Sequence, residues 1–552
     1  MTADLSPTPG SVEAVSFMKK CLEQCALIHA ACEQKNRISP TRLLDVEHLE
    51  KDIIRLVEPE SHATAHYVAL SYCWGTAEVF KTVKSNLSLV KSGVQASTLP
   101  KSIQDAALLS HTLGFRYLWV DALCIIQDSA KDWDIESAKM GSVYENAYVT
   151  LVASLASSAG DGFLSNFLPS RQRDTFSLEI SADGKTNEQP TLVKAIVATK
   201  TSESDTDISD NPLDTRAWCF QESVLSTRAI LITKEEIRWS CRSEKTCECK
   251  SDFHPQQHWP SINDIKTAAD AFAFWKEMVH RYSSRRLTYN KDKLIALSGI
   301  AQVVSQFTCA KYIAGIWSEN LVAELAWRRI HSSMENASSR VEWGFMAEYQ
   351  APSFSWASIQ GVVDSLPRTH VQDIHSWNQT FSLIDMHVSQ IGLNPFGAVS
   401  GGYIKVHGYL VQATMAWRDR HRVDPHYCVF TDSWETIHWL VDSGLDTDIE
   451  EFVFINADGQ EEKSVRRCPS IPVNAMPVFS PCPVFLFCIG ILQREEHLEW
   501  NTGSHVFLIL ARSPKNPTQR FERIGLLQTR EYRPEDWPEC SKEAPLSTIT
   551  IV

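Results

Sequence analysis

The sequence predicts an α/β protein with a parallel-sheet core, a helical insert and a β-rich C-terminal region. Three observations carry this expectation. Short apolar runs alternate with amphipathic helical segments in the first part of the chain, which predicts parallel strands joined by right-handed crossovers. Residues 263–335 carry apolar side chains at three- and four-residue spacing, the period of helices. From about residue 340 the pattern turns to short alternating runs among Gly, Pro, Asn and Asp, the pattern of strands and turns.

With 552 residues the chain exceeds one ordinary core. The expected division is a helical preface over 1–60, an α/β domain over 61–250, a helical region over 251–335 and a β-rich region over 336–552. A net charge of −14 with no offsetting basic stretch excludes non-specific nucleic-acid binding. The opening MTADLSPTPGS shows neither a basic nor an apolar leader segment. The longest apolar run, PVFLFCIGIL at Pro483–Leu492, is too short to span a bilayer. A cytoplasmic protein without membrane attachment is expected. The 15 cysteines are scattered and read as reduced thiols.

In chain order, Val15–Gln34 has helical spacing and carries Cys21, Cys25 and Cys32. A metal site there needs more ligands in reach, so these cysteines read as packing residues. Leu43–Val57 alternates charged and apolar side chains and leads to the first strand, His66–Tyr72. Cys73-Trp74-Gly75 follows as a tight turn, with Gly75 permitting positive φ or close backbone approach. Lys101–Gly114 is a helix, with Thr98 as a cap candidate, Pro100 near its first position and Gly114 just past its end.

The organising stretch is RYLWVDALCIIQ, Arg116–Gln127. Tyr117–Val120 reads as a buried strand, and Asp121, Cys124 and Gln127 fall at its carboxyl end. Ligands bind at that end of open α/β sheets. The plainer alternative makes Asp121 a cap and Cys124 a small buried hydrophobe. Asp132–Tyr144 is a further helix and Tyr148–Ala153 a further strand. Lys200–Asp210 is an acidic, serine-rich loop.

In Arg216–Glu222, RAWCFQE, the tryptophan, glutamine and glutamate fit the first turn of a helix, where the dipole favours a carboxylate such as Glu222. Strands follow at Ala229–Thr233 and Ile237–Cys241. Cys241, Cys247, Cys249, His254 and His258 cluster locally, but C-x5-C-x-C is not a standard zinc spacing, and no metal is expected. Helices are expected at Ile265–Tyr282, Asp292–Ser305 and Trp317–Ile330. Strands are expected at Tyr403–Val411, Val484–Leu492, Val506–Leu510 and Phe521–Leu527.

Several blocks together carry a resemblance. ALSYCWG, LPKSIQDA, RYLWVDALCIIQD, the Met140–Ala147 segment and RAWCFQE resemble, in order, the signature blocks of the fungal heterokaryon-incompatibility (HET) domain family. The likeness continues through DKLIALSGIA, YIAGIWSENL, PSFSWASIQG and FERIGLL. Ile126 departs from the asparagine usual in the family, and Cys219 from a common threonine. The resemblance implies a cytoplasmic protein of nonself recognition whose activation triggers growth arrest or cell death. The HET domain has been likened to the Toll/interleukin-1 receptor (TIR) domain, which implies a flavodoxin/TIR-like parallel sheet. Some TIR domains hydrolyse NAD with a helical glutamate, and Trp218–Glu222 resembles that block.

Three readings follow. In the first, the protein is a cell-death effector acting by NAD cleavage, with Glu222 and Asp121 as catalytic groups. Ser71, Trp74, Gly75, Gln127, Trp218 and Gln221 then line the ligand site. NAD is a substrate in this reading, and no cofactor is expected. The second is a non-enzymatic module that self-associates or binds a protein partner. The third is a cysteine-dependent enzyme with Cys124 or Cys73 as nucleophile, Cys124 having Asp121 nearby but no local histidine.

Overall fold

The computed structural model describes residues 6, 8–34, 38–59, 65–75, 79–165, 175–180, 191–196, 211–234, 236–249, 261–329, 349–366, 375–418, 426–430, 444–445, 451–455, 461–466, 482–494, 502–513, 520–528 and 545–552. The chain forms two compact units, Met1–Trp259 and Pro260–Val552. The Lys200–Asp210 loop, His254 and His258 lie outside the described residues. Among the described residues no helix is long and apolar enough to cross a membrane.

The first unit contains helix α1 (Val12–Ile28), strands β1 (Leu43–Asp45), β2 (Ile53–Val57) and β3 (Tyr67–Ser71), then helix α2 (Leu87–Ser92) and strand β4 (Val94–Gln95). Helix α3 (Lys101–Thr112), strand β5 (Tyr117–Trp119), the single turn α4 (Asp121–Cys124), helix α5 (Ala130–Asn146) and strand β6 (Val149–Val152) follow. Strands β7 (Thr175–Ile180) and β8 (Thr191–Ile196) pair with each other as a separate two-stranded sheet. Helix α6 (Ala217–Leu225) then leads to β9 (Arg228–Ile232), β10 (Ile237–Cys241) and β11 (Lys245–Cys247).

Nine of these strands form one mixed sheet, in the order β11-β10-β9-β6-β3-β5-β1-β2-β4. Its centre is parallel: β3 pairs in parallel with β5 and β6, and β6 with β9. Both flanks are antiparallel. The expectation of an all-parallel core therefore holds for the four central strands, and the sheet as a whole is mixed. The segment before residue 60 supplies β1 and β2, so it joins the sheet.

Burial explains the central strands. Val68, Ala69, Leu70, Leu118, Trp119, Val149 and Leu151 are all buried, as strands covered on both faces require. Right-handed crossovers place α3 on one face and α5 and α6 on the other. Indeed α5 and α6 pack together, and α3 packs on β5. Gly114 ends α3 with φ +91, a backbone angle that favours glycine. Thr98 does not cap α3; Pro100 holds the N-cap position, with no side-chain cap.

The second unit carries helices Ala268–Ser283 and Ser298–Ser305. The helix expected over Trp317–Ile330 is short, Leu321–Leu325. It stops because Trp327–Arg329 pairs as a strand with Val363–Ser365. The β-rich remainder contains a closed barrel of five strands, Val399–Arg418, Cys482–Arg494, Thr502–Arg512, Arg520–Gln528 and Leu546–Ile551. Val484, Leu486, Ile509 and Ile524 belong to its apolar core.

Candidate functional site

Parallel pairing sends β3 and β5 in one direction, so the turns after them meet at one edge of the sheet. Ser71 ends β3, and Tyr72-Cys73-Trp74-Gly75 leaves that edge. Asp121 opens the single turn α4 two residues after β5. A hydrogen bond joins the turns: Trp74 Nε1 donates to Asp121 Oδ2 at 2.9 Å. The other carboxylate oxygen, Oδ1, accepts from the Ala122 amide at 2.7 Å. Gln127 Nε2 donates to the carbonyls of Asp121 and Ile125, at 3.0 and 3.3 Å. Gln127 thus braces the Asp121 turn.

Helix α6 adds the third side. Arg216 is its N-cap, and its Nη1 donates to the Tyr72 carbonyl at 2.8 Å. Glu222 lies six residues into the helix count from that cap, in the second turn and not the first. The helix-dipole account of its carboxylate therefore does not apply. Only 5% of Glu222 is exposed. Ser71 and Tyr144 lie beside it, and Asp121 and Arg216 act on it electrostatically. Tyr144 donates its hydroxyl to the Leu70 carbonyl at 3.1 Å. The buried Ser71 hydroxyl approaches Glu222 without a hydrogen bond of ordinary geometry.

The electrostatics follow from enclosure. Burial pushes the Glu222 carboxyl up to about 7, Asp121 adds to the rise, and Ser71, Arg216 and Tyr144 oppose it. Burial also raises Asp121, while Arg216, the Ala122 amide and the Trp74 indole pull it back. Burial disfavours the charge on Arg216, but the acidic groups around it, Glu222 and Asp121 among them, outweigh that and hold it protonated. The site therefore carries two carboxyl groups and one guanidinium.

The cysteines are a different matter. Cys124 is 1% exposed, and burial pushes its thiol up to about 12. That argues against the expected nucleophile, because a thiol in this state is protonated at neutral pH. Burial also raises Cys73 and Cys219. These two share a small apolar cluster with Val152, Leu213 and Ala229.

The remaining candidates sit around this group. Trp74 is half-buried, and Trp218 is half-buried with its ring edge-on to Trp133 at 5.9 Å. Gln221 is fully buried. Gly75 is exposed with φ +78, and a Cβ there would meet Ser158 Cβ at 2.5 Å. The cavity of about 520 Å³ beside Lys101, Asp105 and Leu164 shares no residue with this group. Sequence reasoning gave no role in the site to Arg216, Tyr72 or Tyr144, although all three lie in blocks it singled out. An arginine directly before a helix that carries a glutamate was the available signal for Arg216.

Residues 67–222 match the family model described as Heterokaryon incompatibility protein (HET). The chain carries a HET domain. The matched segment runs from the first residue of β3 to Glu222, so both carboxyl groups and Arg216 lie within the HET domain. Neither curated proteins nor solved structures give a match.

Proposed function

We propose that this protein is an effector of fungal nonself recognition and cell death whose HET domain hydrolyses NAD, with Glu222 as the principal catalytic residue. One observation carries the reading. A buried carboxyl, raised to about 7, faces a second carboxyl and a guanidinium at the carboxyl edge of a parallel sheet. Numbered along the chain, the four parallel strands run 2-1-3-4, the order of flavodoxin-like and, by extension, TIR-like sheets. The reversal lies between β3 and β6, where the turn carrying Trp74 leaves the sheet. Ligands favour such switch points.

The chemistry suits these groups. Breaking the nicotinamide–ribose bond sends the bonding pair to the nicotinamide nitrogen and leaves positive charge on the ribose. Ionised Glu222 stabilises that charge, and water then adds to the ribose carbon and releases a proton. Asp121 would accept hydrogen bonds from ribose hydroxyls. Arg216 supplies positive charge for a diphosphate, and the half-buried Trp74 and Trp218 offer faces for a base.

The test uses the purified full chain with NAD, following nicotinamide release. Wild type should release nicotinamide, and Glu222→Gln should lower the rate by about 10²-fold or more. Equal rates would remove Glu222 from the chemistry. No release by either protein would sink NAD hydrolysis and favour the non-enzymatic module.

A further inference from the structure

The structure places four metal-ligating side chains together where the end of α1 meets the end of β10. Cys25 lies in the last turn of α1, His29 is its C-cap, and Cys32 follows in a short 3-10 turn. Cys241 ends β10, against which α1 packs. One ligand atom from each lies within 4.8 Å of all the others. The Cys241 Sγ to His29 Nδ1 distance is 3.4 Å. A tetrahedral zinc with bonds of about 2.3 Å to sulfur and about 2.0 Å to nitrogen places its ligand atoms about 3.5 Å apart.

The surroundings are those of a thiolate cluster. Arg228 Nε donates to Cys25 Sγ at 3.2 Å, and the Glu244 amide donates to Cys241 Sγ at 3.3 Å. His29 presents Nδ1 to the thiols while Nε2 lies 3.6 Å from the Glu244 carboxylate. That is the arrangement in which a carboxylate orients a metal-bound imidazole. Charge gives a second, independent argument. Arg228 is 5% exposed, and its other donors go to the carbonyls of Tyr148 and Cys32. Among the described residues no carboxylate pairs with it. A buried guanidinium needs a counter-charge. Three thiolates, a neutral imidazole and Zn²⁺ sum to one negative charge, directly beside it.

We propose that Cys25, His29, Cys32 and Cys241 bind one structural zinc ion that fastens the end of α1 to the end of β10. Four protein ligands leave no open position, so the ion is structural and not catalytic. The proposal is independent of NAD chemistry. Glu236, Cys247 and Cys249 also converge, but among the described residues they offer three donors and not four, and they serve here as the control.

The experiment measures zinc per chain in full-length protein purified without chelator, and the visible spectrum after cobalt replacement. Wild type should carry zinc and, with cobalt, show the ligand-field and charge-transfer bands of a tetrahedral thiolate site. Cys32→Ser and Cys241→Ser should each lose one equivalent, and Cys247→Ser should keep it. If the cysteine variants fail to fold, Glu244→Gln serves instead, because it alters an exposed outer carboxylate. It should lose zinc to a competing chelator about 10–100-fold more readily than wild type. Wild-type protein that neither carries zinc nor yields the cobalt bands would overturn the proposal. So would an unchanged zinc content in folded Cys32→Ser and Cys241→Ser proteins, or unchanged zinc retention in Glu244→Gln.

Discussion

Trp74 and Asp121 come from turns after two adjacent parallel strands, and the indole nitrogen of one holds a carboxylate oxygen of the other at 2.9 Å. This bond joins segments 47 residues apart in sequence. It also fixes which way the Asp121 carboxyl faces, because Oδ1 is taken by the Ala122 amide. Asp121 is thereby held between a structural bond and the charge of Arg216.

Trp74→Phe keeps the ring and removes the N–H. The Asp121 carboxylate then loses a donor in an enclosed position, which should cost about 1.5–3 kcal/mol, the range for hydrogen bonds to charged groups. The same loss raises the Asp121 pKa further, since the indole bond lowers it. Urea titrations at pH 7 check the first effect. A stability equal to wild type would show that the bond contributes nothing.

Gly75→Ala should destabilise the turn beside Trp74 by about 2–3 kcal/mol. Positive φ is one part of that cost, and the contact with Ser158 is the other. Ser158 cannot retreat freely, because its amide and hydroxyl are both held by Asp161, at 2.8 Å each. Adding Ser158→Gly to Gly75→Ala should recover the contact part and leave the strain. Thermal melts of the two proteins separate these parts, and no recovery would mean that backbone strain dominates.

Cys124→Ala should leave NAD turnover unchanged and lower stability by about 1–2 kcal/mol, as for other losses of a small buried side chain. Alkylation of the native protein at neutral pH should spare Cys124, whose thiol stands at about 12 in a buried setting. Mass spectrometry of the alkylated protein gives the answer. Labelling at Cys124 that abolishes turnover would restore the thiol-enzyme reading.

The central strands were legible because burial on both faces writes itself as continuous apolar runs, HYVALSY and YVTLVA. Helix α3 was legible from its apolar spacing and Gly114. The partner of β5 on its outer side was not, since β1 is three residues long and more than 70 positions away. The start of α6 was misplaced for a local reason: Arg216 caps it without a side-chain bond, so no Ser, Thr, Asp or Asn marks the first turn. Trp327–Arg329 misled because tertiary pairing with Val363–Ser365 overrides a helical period. The Cys25, His29, Cys32 and Cys241 cluster was hidden by distance, His29 and Cys241 being 212 residues apart. Spacing rules see only ligands that are close in sequence.

Glu222→Gln separates burial from catalysis by its pH dependence. The carboxyl ordinarily titrates near 4.5 and stands at about 7 in the folded protein. A raised carboxyl favours the protonated native state, so its stabilising effect is complete below pH 4.5 and is lost as pH rises through 7. A shift of this size corresponds to about 3 kcal/mol. Wild type and Glu222→Gln should therefore be similarly stable near pH 4, and the glutamine protein should be the more stable by up to about 3 kcal/mol at pH 8. NAD turnover should move the opposite way. It should rise in wild type as Glu222 ionises through pH 7 and stay about 10²-fold lower or more in the variant throughout. Denaturant titrations at pH 4, 6 and 8, with turnover at each, test both curves on one pair of proteins. Parallel stability curves would mean that Glu222 is not buried as a neutral acid. A flat pH profile of turnover through 7 would assign the ionisation that matters to another group, with Asp121 the first to examine.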